Sequence, residues 1–397
     1  MSYRETVIAY ADQQAKVYQD IALAIHDKPE VSNYEFFASE TLAKQLEKEG
    51  FETKLDVAGH RTGFTAVYRG AKPGPVLVFL AEYDALAGLG HGCGHNLFGA
   101  ASSLAAASLK QVIDEVGGEV RVYGTPGEEG GENGSAKGSF VREGFLKDVD
   151  AALCAHPGTE KNILTGKSLA CAPVDIEFWG KAAHASGCPE KGINALDGLI
   201  LTYTGINALR QHVTPDVRIH GIITNGGDAP NTVPDYAKAK FYLRAATAPG
   251  LENLYRRIVS IVEGAALATG AKGRLQPYQN RVENTVPTPS FDALFLKELE
   301  SLGETAEKRD EDPKGSSDVG NISQVVPTIQ PSLIISTEKL AGHSEDFRDA
   351  AASEFGLTFV PRAAKALALT ALDLILEPET LAAIKAEHAA AIAAQEA

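Results

Sequence analysis

The 397-residue chain carries a formal net charge of −15, and 44% of its residues are hydrophobic. This composition is typical of a soluble globular protein with two domains. The acidic balance argues against nucleic acid and membranes as partners, because nucleic acid and anionic lipid surfaces repel a negatively charged protein.

The beginning of the chain and its cysteines bear on the cellular compartment. Residues 1–6 lack the basic-then-apolar layout of a secretory signal, and no apolar run approaches membrane-spanning length. The four cysteines are dispersed and have no disulfide-framework spacing. We therefore expect a cytoplasmic protein with reduced thiols.

The first third of the chain alternates between helical and strand patterns. Apolar residues recur with a helical rhythm over 2–27, and Pro29 ends the pattern. A second helix is predicted near 34–49, where Gly50 is typical of a position beyond a helix end. The remaining predicted elements are strands at 51–57, 63–69 and 75–81 and an alanine-rich buried helix at 96–116.

Residues 82–95 follow the third predicted strand and are rich in metal-ligand side chains. Glu82 and Asp84 stand two residues apart, so both carboxylates point to one side of an extended chain. Cys93 and His95 have the same spacing, and a thiolate with an imidazole suits zinc or a similar divalent ion. The N-terminus of the next helix would favour the Cys93 thiolate. An alternative interpretation makes Cys93 a nucleophile activated by a nearby histidine.

Two further predicted strands end in groups of the same kind. The strand at 119–124 runs into Glu128 and Glu129, which a glycine-rich bend can bring into one site. One of these acids could bind metal while the other takes a proton from water. The strand predicted at 150–157 ends near His156. Three strands that end in metal-competent groups predict a site at the carboxyl edge of an α/β sheet.

From about residue 172 the pattern becomes that of a small α+β domain. Its predicted elements are a strand at 173–179, a helix near 192–211, strands near 217–224 and 236–245, a helix at 250–268 and a strand at 271–281. This order is typical of a ferredoxin-like domain. Because α/β character resumes after Thr285, residues 173–283 are predicted to be inserted into a discontinuous catalytic domain of residues 1–172 and 284–397.

The last segment contributes one more candidate ligand. A strand is predicted at 328–336, and the His343 segment that follows opens a helix. Residues 356–397 have the pattern of an alanine-rich amphipathic helix with a packing role.

These motifs resemble those of a known family. The Gly-His-Gly-Cys-Gly-His motif at 90–95 resembles the signature of the amidohydrolase branch of the M20 metallopeptidase family, and the likeness covers nearly the whole chain. Within this M20D-like branch, the motif continues here as Gly-His-Asn, with Asn96 after His95. This form is most similar to the motif of the subgroup that contains aminobenzoyl-glutamate hydrolase and M20 dipeptidase-like proteins. The resemblance implies an α/β fold: a zinc-peptidase-like catalytic domain, its central mixed sheet flanked by helices, and an inserted lid and dimerisation domain.

The resemblance also implies a centre with two divalent metal ions. By the family pattern, Cys93 would bridge the two ions, His95 and His156 would complete one ligand set, and Glu129 and His343 the other. Zinc or manganese is the expected metal, with cobalt and nickel as further options.

Other roles follow from the same resemblance. Glu128 matches the general base, and Asp84 matches the acid that orients a ligand. In the inserted domain, His184 corresponds to the residue that stabilises the developing oxyanion. Asn231 and Arg244 match a pair that holds the substrate carboxylate.

These assignments predict a hydrolase that cleaves the amide bond of N-acyl amino acids or dipeptides with a free carboxylate. One alternative is metal-dependent hydrolysis of another C–N bond, as in deamination of an aromatic amine. Another is a non-catalytic, metal-dependent binding protein. The expected partners are a small-molecule substrate and a second copy of the chain, paired through the lid domain, with His184 acting in the partner's site.

Overall fold

The computed structural model describes residues 1–309, 313 and 315–396. These residues form two compact units. The first is built from Met1–Lys167, Thr285–Pro313 and Ser317–Ala397, and the second from Ser168–Asn284 and Lys314–Ser316. The domain boundaries inferred from the sequence, at 172/173 and 283/284, stay predictions.

The helices and strands are numbered here in chain order. The helices are α1 (Tyr3–Asp27), α2 (Phe36–Lys48), α3 (His95–Val116), α4 (Ala136–Arg142), α5 (Ala195–Leu209), α6 (Ala248–Thr269), α7 (Pro289–Ser301), α8 (Val319–Ser323), α9 (Glu345–Ala350), α10 (Glu354–Leu357), α11 (Phe359–Leu376) and α12 (Pro378–Glu396). The strands are β1 (Glu52–Val57), β2 (His60–Arg69), β3 (Val76–Ala81), β4 (Glu119–Gly124), β5 (Ala151–Leu153), β6 (His156–Thr159), β7 (Ala170–Trp179), β8 (Arg218–Asn225), β9 (Tyr236–Ala245), β10 (Lys272–Pro277), β11 (Thr328–Ile329) and β12 (Ser332–Ser336).

The first unit is organised around a mixed six-stranded sheet of order β1-β2-β4-β3-β5-β11. β4, β3, β5 and β11 run parallel, while β2 pairs antiparallel with both β1 and β4. The central strand β3 is apolar throughout: Leu77 and Phe79 belong to one core cluster and Val78 and Leu80 to another. Because successive side chains of a strand point to opposite faces, this pattern requires both faces of the sheet to be covered.

The helix α3 lies at the centre of the larger core cluster. It packs against α1 and α11, and alanine, serine and glycine at many of its buried positions allow close approach. At the start of α1, Ser2 and Glu5 form a reciprocal capping box that satisfies backbone N–H groups. The helices predicted near 2–27 and 96–116 are confirmed.

The parallel pairing decides where the site lies. β4 and β5 flank β3 on opposite sides, so the carboxyl ends of all three strands meet at one edge of the sheet. After β3, the chain adds β4 on one side of that strand and then β5 on the other side. Open α/β sheets place their sites at such a topological switch point.

Two strands predicted as continuous are interrupted. The prediction at 150–157 was wrong in this respect, because β5 pairs with β3 and β11 whereas β6 pairs with β12 in a separate two-stranded sheet. The prediction at 328–336 was wrong for the same reason. Both segments leave the large sheet together and pair in parallel again from His156 and Ser332.

The second unit has the order of elements predicted from the sequence. Its antiparallel sheet has the order β10-β7-β9-β8, and α5 and α6 pack on the apolar face of that sheet. This is the ferredoxin-like arrangement. The predicted α/β fold, with a central mixed sheet flanked by helices and a second α+β unit, is confirmed. Among the described residues, no helix is long and apolar enough to cross a membrane.

Candidate metal centre

Asp84 connects two of the predicted site residues just beyond the end of β3. The Nδ1–H of His95, the first residue of α3, donates to Oδ1 of Asp84 at 2.9 Å. Oδ2 of Asp84 accepts a hydrogen bond of 2.8 Å from the backbone N–H of Glu129. Asp84 therefore fixes the orientation of one ring and the position of one acidic loop, as a residue supporting metal ligands does.

Gly94 allows Cys93 and His95 to come close to His156. Its φ is 77°, and a Cβ at this position would lie 2.8 Å from the ring of Pro157. Only glycine fits such a backbone so near another chain segment. Sγ of Cys93 lies 3.5 Å from Nε2 of His156, whose Nδ1–H donates to the Pro157 carbonyl at 2.7 Å.

Glu129 and His343 form a second group with Cys93. Nε2 of His343 lies 3.3 Å from Oε1 of Glu129, and the His343 side chain is 56% exposed. The backbone of His343 has a φ of 59° and donates to the Gly92 carbonyl at 3.0 Å. A non-glycine residue in this region is uncommon, and such backbone strain is concentrated at functional sites.

Ligand-type atoms of these residues form three groups, within each of which all atoms lie within 4.8 Å of one another. The groups are Cys93, His95 and His156; Cys93, Glu129 and His343; and Glu82, His95 and Glu128. Thus the first two groups share Cys93. The structure brings together all seven residues of the first unit that the sequence analysis assigned to the site.

The surroundings of His95 suit a bound cation. Its Nε2 is buried without a hydrogen-bond partner among the described residues. Although burial lowers the pKa of His95, the negative charge of Asp84, together with that of Glu82, outweighs that effect and raises the pKa well above its ordinary value. The local field therefore favours positive charge at this nitrogen, which fits a divalent ion held by imidazole, thiolate and carboxylate.

The two adjacent acids have opposite pKa shifts. Burial, together with the charges of Glu82 and Glu129, raises the pKa of Glu128 well above its ordinary value. Burial also acts to raise the pKa of Glu129, but the hydrogen bond with His343 and the charge of His95 bring the net pKa below its usual value. Glu128 is therefore the more basic acid and Glu129 the more persistent anion.

From the sequence, the start of α3 is expected to favour the Cys93 thiolate. In the structure, burial raises the pKa of the Cys93 thiol instead, and the nearby acids add to this effect. Without a metal ion, a thiol held neutral is a poor nucleophile, so this environment does not favour the alternative in which Cys93 attacks the substrate. A divalent ion bound at Cys93 would displace the thiol proton and leave the thiolate as its ligand.

Three predicted residues lie in the second unit. His184 is exposed, and its segment forms a backbone bridge with Thr232. The Asn231 carbonyl accepts a hydrogen bond from the N–H of Ala185 at 3.0 Å, so the His184 and Asn231 segments are neighbours. Arg244, on β9, donates from Nη1 to the Ser316 hydroxyl at 2.7 Å.

Glu35 is a buried residue of this region that the sequence analysis missed. It accepts hydrogen bonds from the Thr62 hydroxyl at 2.7 Å and from the N–H of Gly127 at 2.9 Å. Burial, reinforced by Asp84, raises its pKa to about 8. Glu35 thereby anchors the loop that carries Glu128, but its sequence neighbourhood contains no motif that could have identified it.

Lys137 and Asp318 were also missed. Both side chains are completely buried, and Nζ of Lys137 donates to Oδ1 of Asp318 at 2.6 Å. The same ammonium lies 2.7 Å from Oε1 of Glu82. A lysine shortly after the Glu128 loop was visible in the sequence, but only the fold shows that it points inward.

An α/β sheet with acids, imidazoles and a thiol at its carboxyl edge is the arrangement of a metal-dependent hydrolase. The family model of the M20 peptidase dimerisation domain matches residues 171–269. The chain is 34% identical to the Xaa-Arg dipeptidase of Mus musculus, over 95% of this chain and 90% of that protein. It is 41% identical to one of the subunits of the p-aminobenzoyl-glutamate hydrolase of Escherichia coli (strain K12), over 65% of this chain and 56% of that protein.

A solved structure gives the same fold. The YXEP protein of Bacillus subtilis, a dinuclear metal-binding peptidase of the M20 family, matches with a TM-score of 0.63 and 20% identity, over 91% of this chain and 99% of that chain. The chain described here belongs to the M20 peptidase family. It is a metal-dependent hydrolase of the amidohydrolase and peptidase type, and the predicted family and enzyme class are confirmed.

Proposed function

We propose that the chain hydrolyses the amide bond of N-acyl amino acids or dipeptides that carry a free carboxylate, with two divalent metal ions as cofactors. The observation that carries this proposal is the pair of ligand groups sharing Cys93, with the basic acid Glu128 beside them. Cys93, His95 and His156 would hold one ion, and Cys93, Glu129 and His343 the other. Imidazole and thiolate favour zinc, and the carboxylates also suit manganese, cobalt or nickel.

The residues around this centre have separate tasks in the proposed reaction. Bound divalent ions would supply Lewis acidity that polarises the substrate carbonyl and makes water more acidic. Glu128 takes a proton from the attacking water and later delivers it to the leaving nitrogen. Asp84 keeps His95 in one orientation through the 2.9 Å hydrogen bond.

The substrate class rests on the relatives and on residues of the second unit. The relatives include an Xaa-Arg dipeptidase and an aminobenzoyl-glutamate hydrolase. We assign Arg244 and Asn231 to the free carboxylate, because guanidinium and amide groups bind carboxylates directionally. His184 is assigned to the oxyanion that develops on the carbonyl.

The reaction is tested with purified protein stripped by a chelator and then reconstituted with zinc or manganese. Mass spectrometry counts the ions, and a panel of dipeptides and N-acyl amino acids is assayed with the stripped and reconstituted forms. We expect two ions per chain and hydrolysis only after reconstitution. Activity that survives complete metal removal but disappears on thiol alkylation would contradict the proposal and favour a Cys93 nucleophile.

Substrate recognition is tested with each substrate and its C-terminal amide. The amide should react at least about tenfold more slowly, because a hydrogen bond to a charged group contributes about 1.5–3 kcal/mol. In Arg244→Met this preference should disappear, whereas the exposed control Arg256→Met should keep it. Equal rates for acid and amide in the wild-type protein would exclude the assigned role.

We further propose a symmetric homodimer formed through residues 173–283, with His184 acting in the partner's site. The match to a dimerisation domain supports pairing. Glu128→Gln and His184→Ala variants, each inactive, are mixed under conditions that allow the two chains to exchange. Random reassortment should restore about a quarter of wild-type activity, because half of the dimers are mixed and each has one complete site. Proven exchange without recovery would show that His184 acts within its own chain.

A further inference from the structure

The backbone on both sides of Glu128 is held by buried carboxyl groups. The N–H of Gly127 donates to Oε1 of Glu35 at 2.9 Å, and the N–H of Glu129 donates to Oδ2 of Asp84 at 2.8 Å. Glu35 is 0% exposed and Asp84 1%. Glu35 belongs to none of the three ligand groups found in the described part of the chain, so metal binding does not account for its place beside this loop.

Glu35 is itself held in a fixed position. Its backbone carbonyl accepts the N–H of Ser39 at 3.0 Å in the first turn of α2. Its Oε2 accepts a hydrogen bond of 2.7 Å from the hydroxyl of Thr62, which lies on β2. The residue thus connects the start of a helix with a strand of the large sheet, and its remaining oxygen is presented to Gly127.

Asn33, two residues earlier, holds the far end of the same loop. Its Nδ2 donates to the carbonyls of Glu132 at 3.0 Å and Asn133 at 2.9 Å. Its Oδ1 accepts a hydrogen bond of 2.7 Å from the Nδ1–H of His60. The φ of Asn33 is 61°, a conformation that asparagine tolerates better than most residues. Asn33 and Glu35 therefore contact the loop of residues 127–133 at both of its ends.

Glycine allows this loop to approach the segment of residues 32–35. The φ of Gly127 is 69°, and a Cβ there would lie 2.5 Å from Oγ of Ser32. Glycine also gives a chain more conformational freedom than any other residue. A loop rich in glycine therefore needs contacts from outside itself to hold Glu128 in one position, and Asn33 and Glu35 supply such contacts.

We propose that Glu35 and Asn33 are positioning residues, which fix the loop of residues 127–133 so that Glu128 meets the attacking water in the orientation that proton transfer requires. This inference rests on the proposed role of Glu128 as general base. Asp84 holds Glu129 independently, so the metal ligand keeps its place when Glu35 is lost. Glu128 then loses one of its two anchors, and a displacement of about 1 Å can slow a reaction on the order of 100-fold.

The test compares Glu35→Ala with Glu35→Gln in full-length protein reconstituted with zinc or manganese. Alanine removes both hydrogen bonds, whereas the glutamine amide can still accept from Gly127 and can donate to Thr62. Glu35→Ala should keep two ions per chain and lower kcat by roughly 10- to 100-fold with less than about a twofold change in KM. Glu35→Gln should keep kcat within about threefold of wild type, because the contacts rather than the charge hold the loop.

The matched control is Glu49→Ala, which removes another hydrogen-bonded carboxylate at the other end of α2 and should leave kcat unchanged. A second measurement does not depend on catalysis. Hydrogen–deuterium exchange in the stripped protein reports opening of the peptide that spans residues 126–135. Exchange there should be faster in Glu35→Ala than in wild-type protein, and unchanged in Glu35→Gln and Glu49→Ala.

Asn33→Asp keeps the test decisive if Glu35→Ala does not fold. It removes the two N–H donors to the loop and keeps an oxygen facing His60, so kcat should fall by about threefold or more while two ions stay bound. Exchange of the 126–135 peptide should again be faster.

Wild-type kcat and exchange in a folded Glu35→Ala overturn the inference, and so does the same result in Asn33→Asp. Loss of metal in either variant, or a Glu35→Gln variant as slow as Glu35→Ala, also overturns it. In each of these cases the wild-type protein still hydrolyses its substrate, so the proposed function stands. If reconstituted wild-type protein hydrolyses no amide, the proposed function fails and this inference fails with it.

Discussion

The two ligand groups that share Cys93 are built differently. In one, His95 is completely buried, begins the helix α3 and donates to Asp84, while His156 begins β6 and donates to a backbone carbonyl. In the other, His343 is 56% exposed and lies just before α9 on a backbone with positive φ. The first group is fixed by secondary structure and by partners for its rings, and the second depends on a loop.

This difference predicts unequal affinity for metal. Ligands held in position by hydrogen-bonded partners lose less freedom when an ion binds, whereas an exposed loop must be ordered. Local opening is also easier where few buried contacts hold the chain. We expect the His95–His156 group to hold its ion tightly and the Glu129–His343 group to exchange its ion more readily.

The largest expected effect comes from removing what the two groups share. Cys93→Ala should lose both ions and reduce activity by on the order of 10³-fold or more, since metal and general-base effects fail together. Metal content and turnover are measured on the same preparation, with the partly buried free thiol variant Cys188→Ala as control. Two retained ions with near-normal turnover would show that Cys93 does not bridge the groups.

Variants of the adjacent acids Glu128 and Glu129 should distinguish loss of catalysis from loss of metal binding. Glu128→Gln should keep both ions and lower kcat by roughly 10²- to 10⁴-fold, the usual contribution of a general base. Glu129→Gln should lose the more exchangeable ion only. Metal analysis beside steady-state kinetics checks both variants, and the opposite pattern would mean that the two roles are reversed.

Asp84 supports both groups from outside them, so a smaller effect is expected there. Asp84→Asn should weaken metal affinity by about 10- to 100-fold, the usual consequence of losing a residue that orients a ligand. Competition with a chromogenic chelator measures the affinities. The exposed Asp20→Asn should bind metal normally, and an unchanged affinity in Asp84→Asn would remove Asp84 from its orienting role.

The smallest effect on metal binding is expected at His60. Titration of its imidazole changes the stability of the fold instead. Burial, with the charge of Arg142, lowers the pKa of His60 to about 4, and its ring contacts Asn33 and Ser139. A lowered pKa gives stability that is present above the ordinary value and lost as pH falls from about 6.5 towards 4.

The variant His60→Gln cannot titrate, so its free energy of unfolding should fall less over this pH range, by up to about 3 kcal/mol. Denaturant unfolding at pH 7 and pH 4.5 measures the difference, with the exposed His212→Gln as control. Metal content at pH 7 should stay unchanged. Parallel pH dependence in His60→Gln and wild-type protein would contradict the shift.

Local pattern was enough to predict much of this fold. The apolar run of β3, the helical rhythm of α1 and the glycine-rich segment before His95 depend on neighbouring residues, so their structures could be read from the sequence. The strand breaks after Leu153 and Ile329 depend on which strands pair, which no local pattern records.

The candidate site shows the same limit. Glu128, Glu129 and Cys93 follow strands in recognisable motifs and were predicted. Lys137 and Asp318 meet across a separation of 181 residues, which only the folded chain brings together. The shifted pKa values depend on burial and on charges supplied by distant segments, so they also required the structure.

The central claim is that two ions bind at groups that share Cys93 and differ in affinity. Calorimetric titration of stripped protein with zinc or manganese, for wild type and His343→Ala, tests it most directly. We expect two classes of site in the wild-type protein, and His343→Ala should lose the weaker class while the tighter one keeps its affinity. A single class in the wild-type protein, or loss of the tighter class in His343→Ala, would contradict the claim.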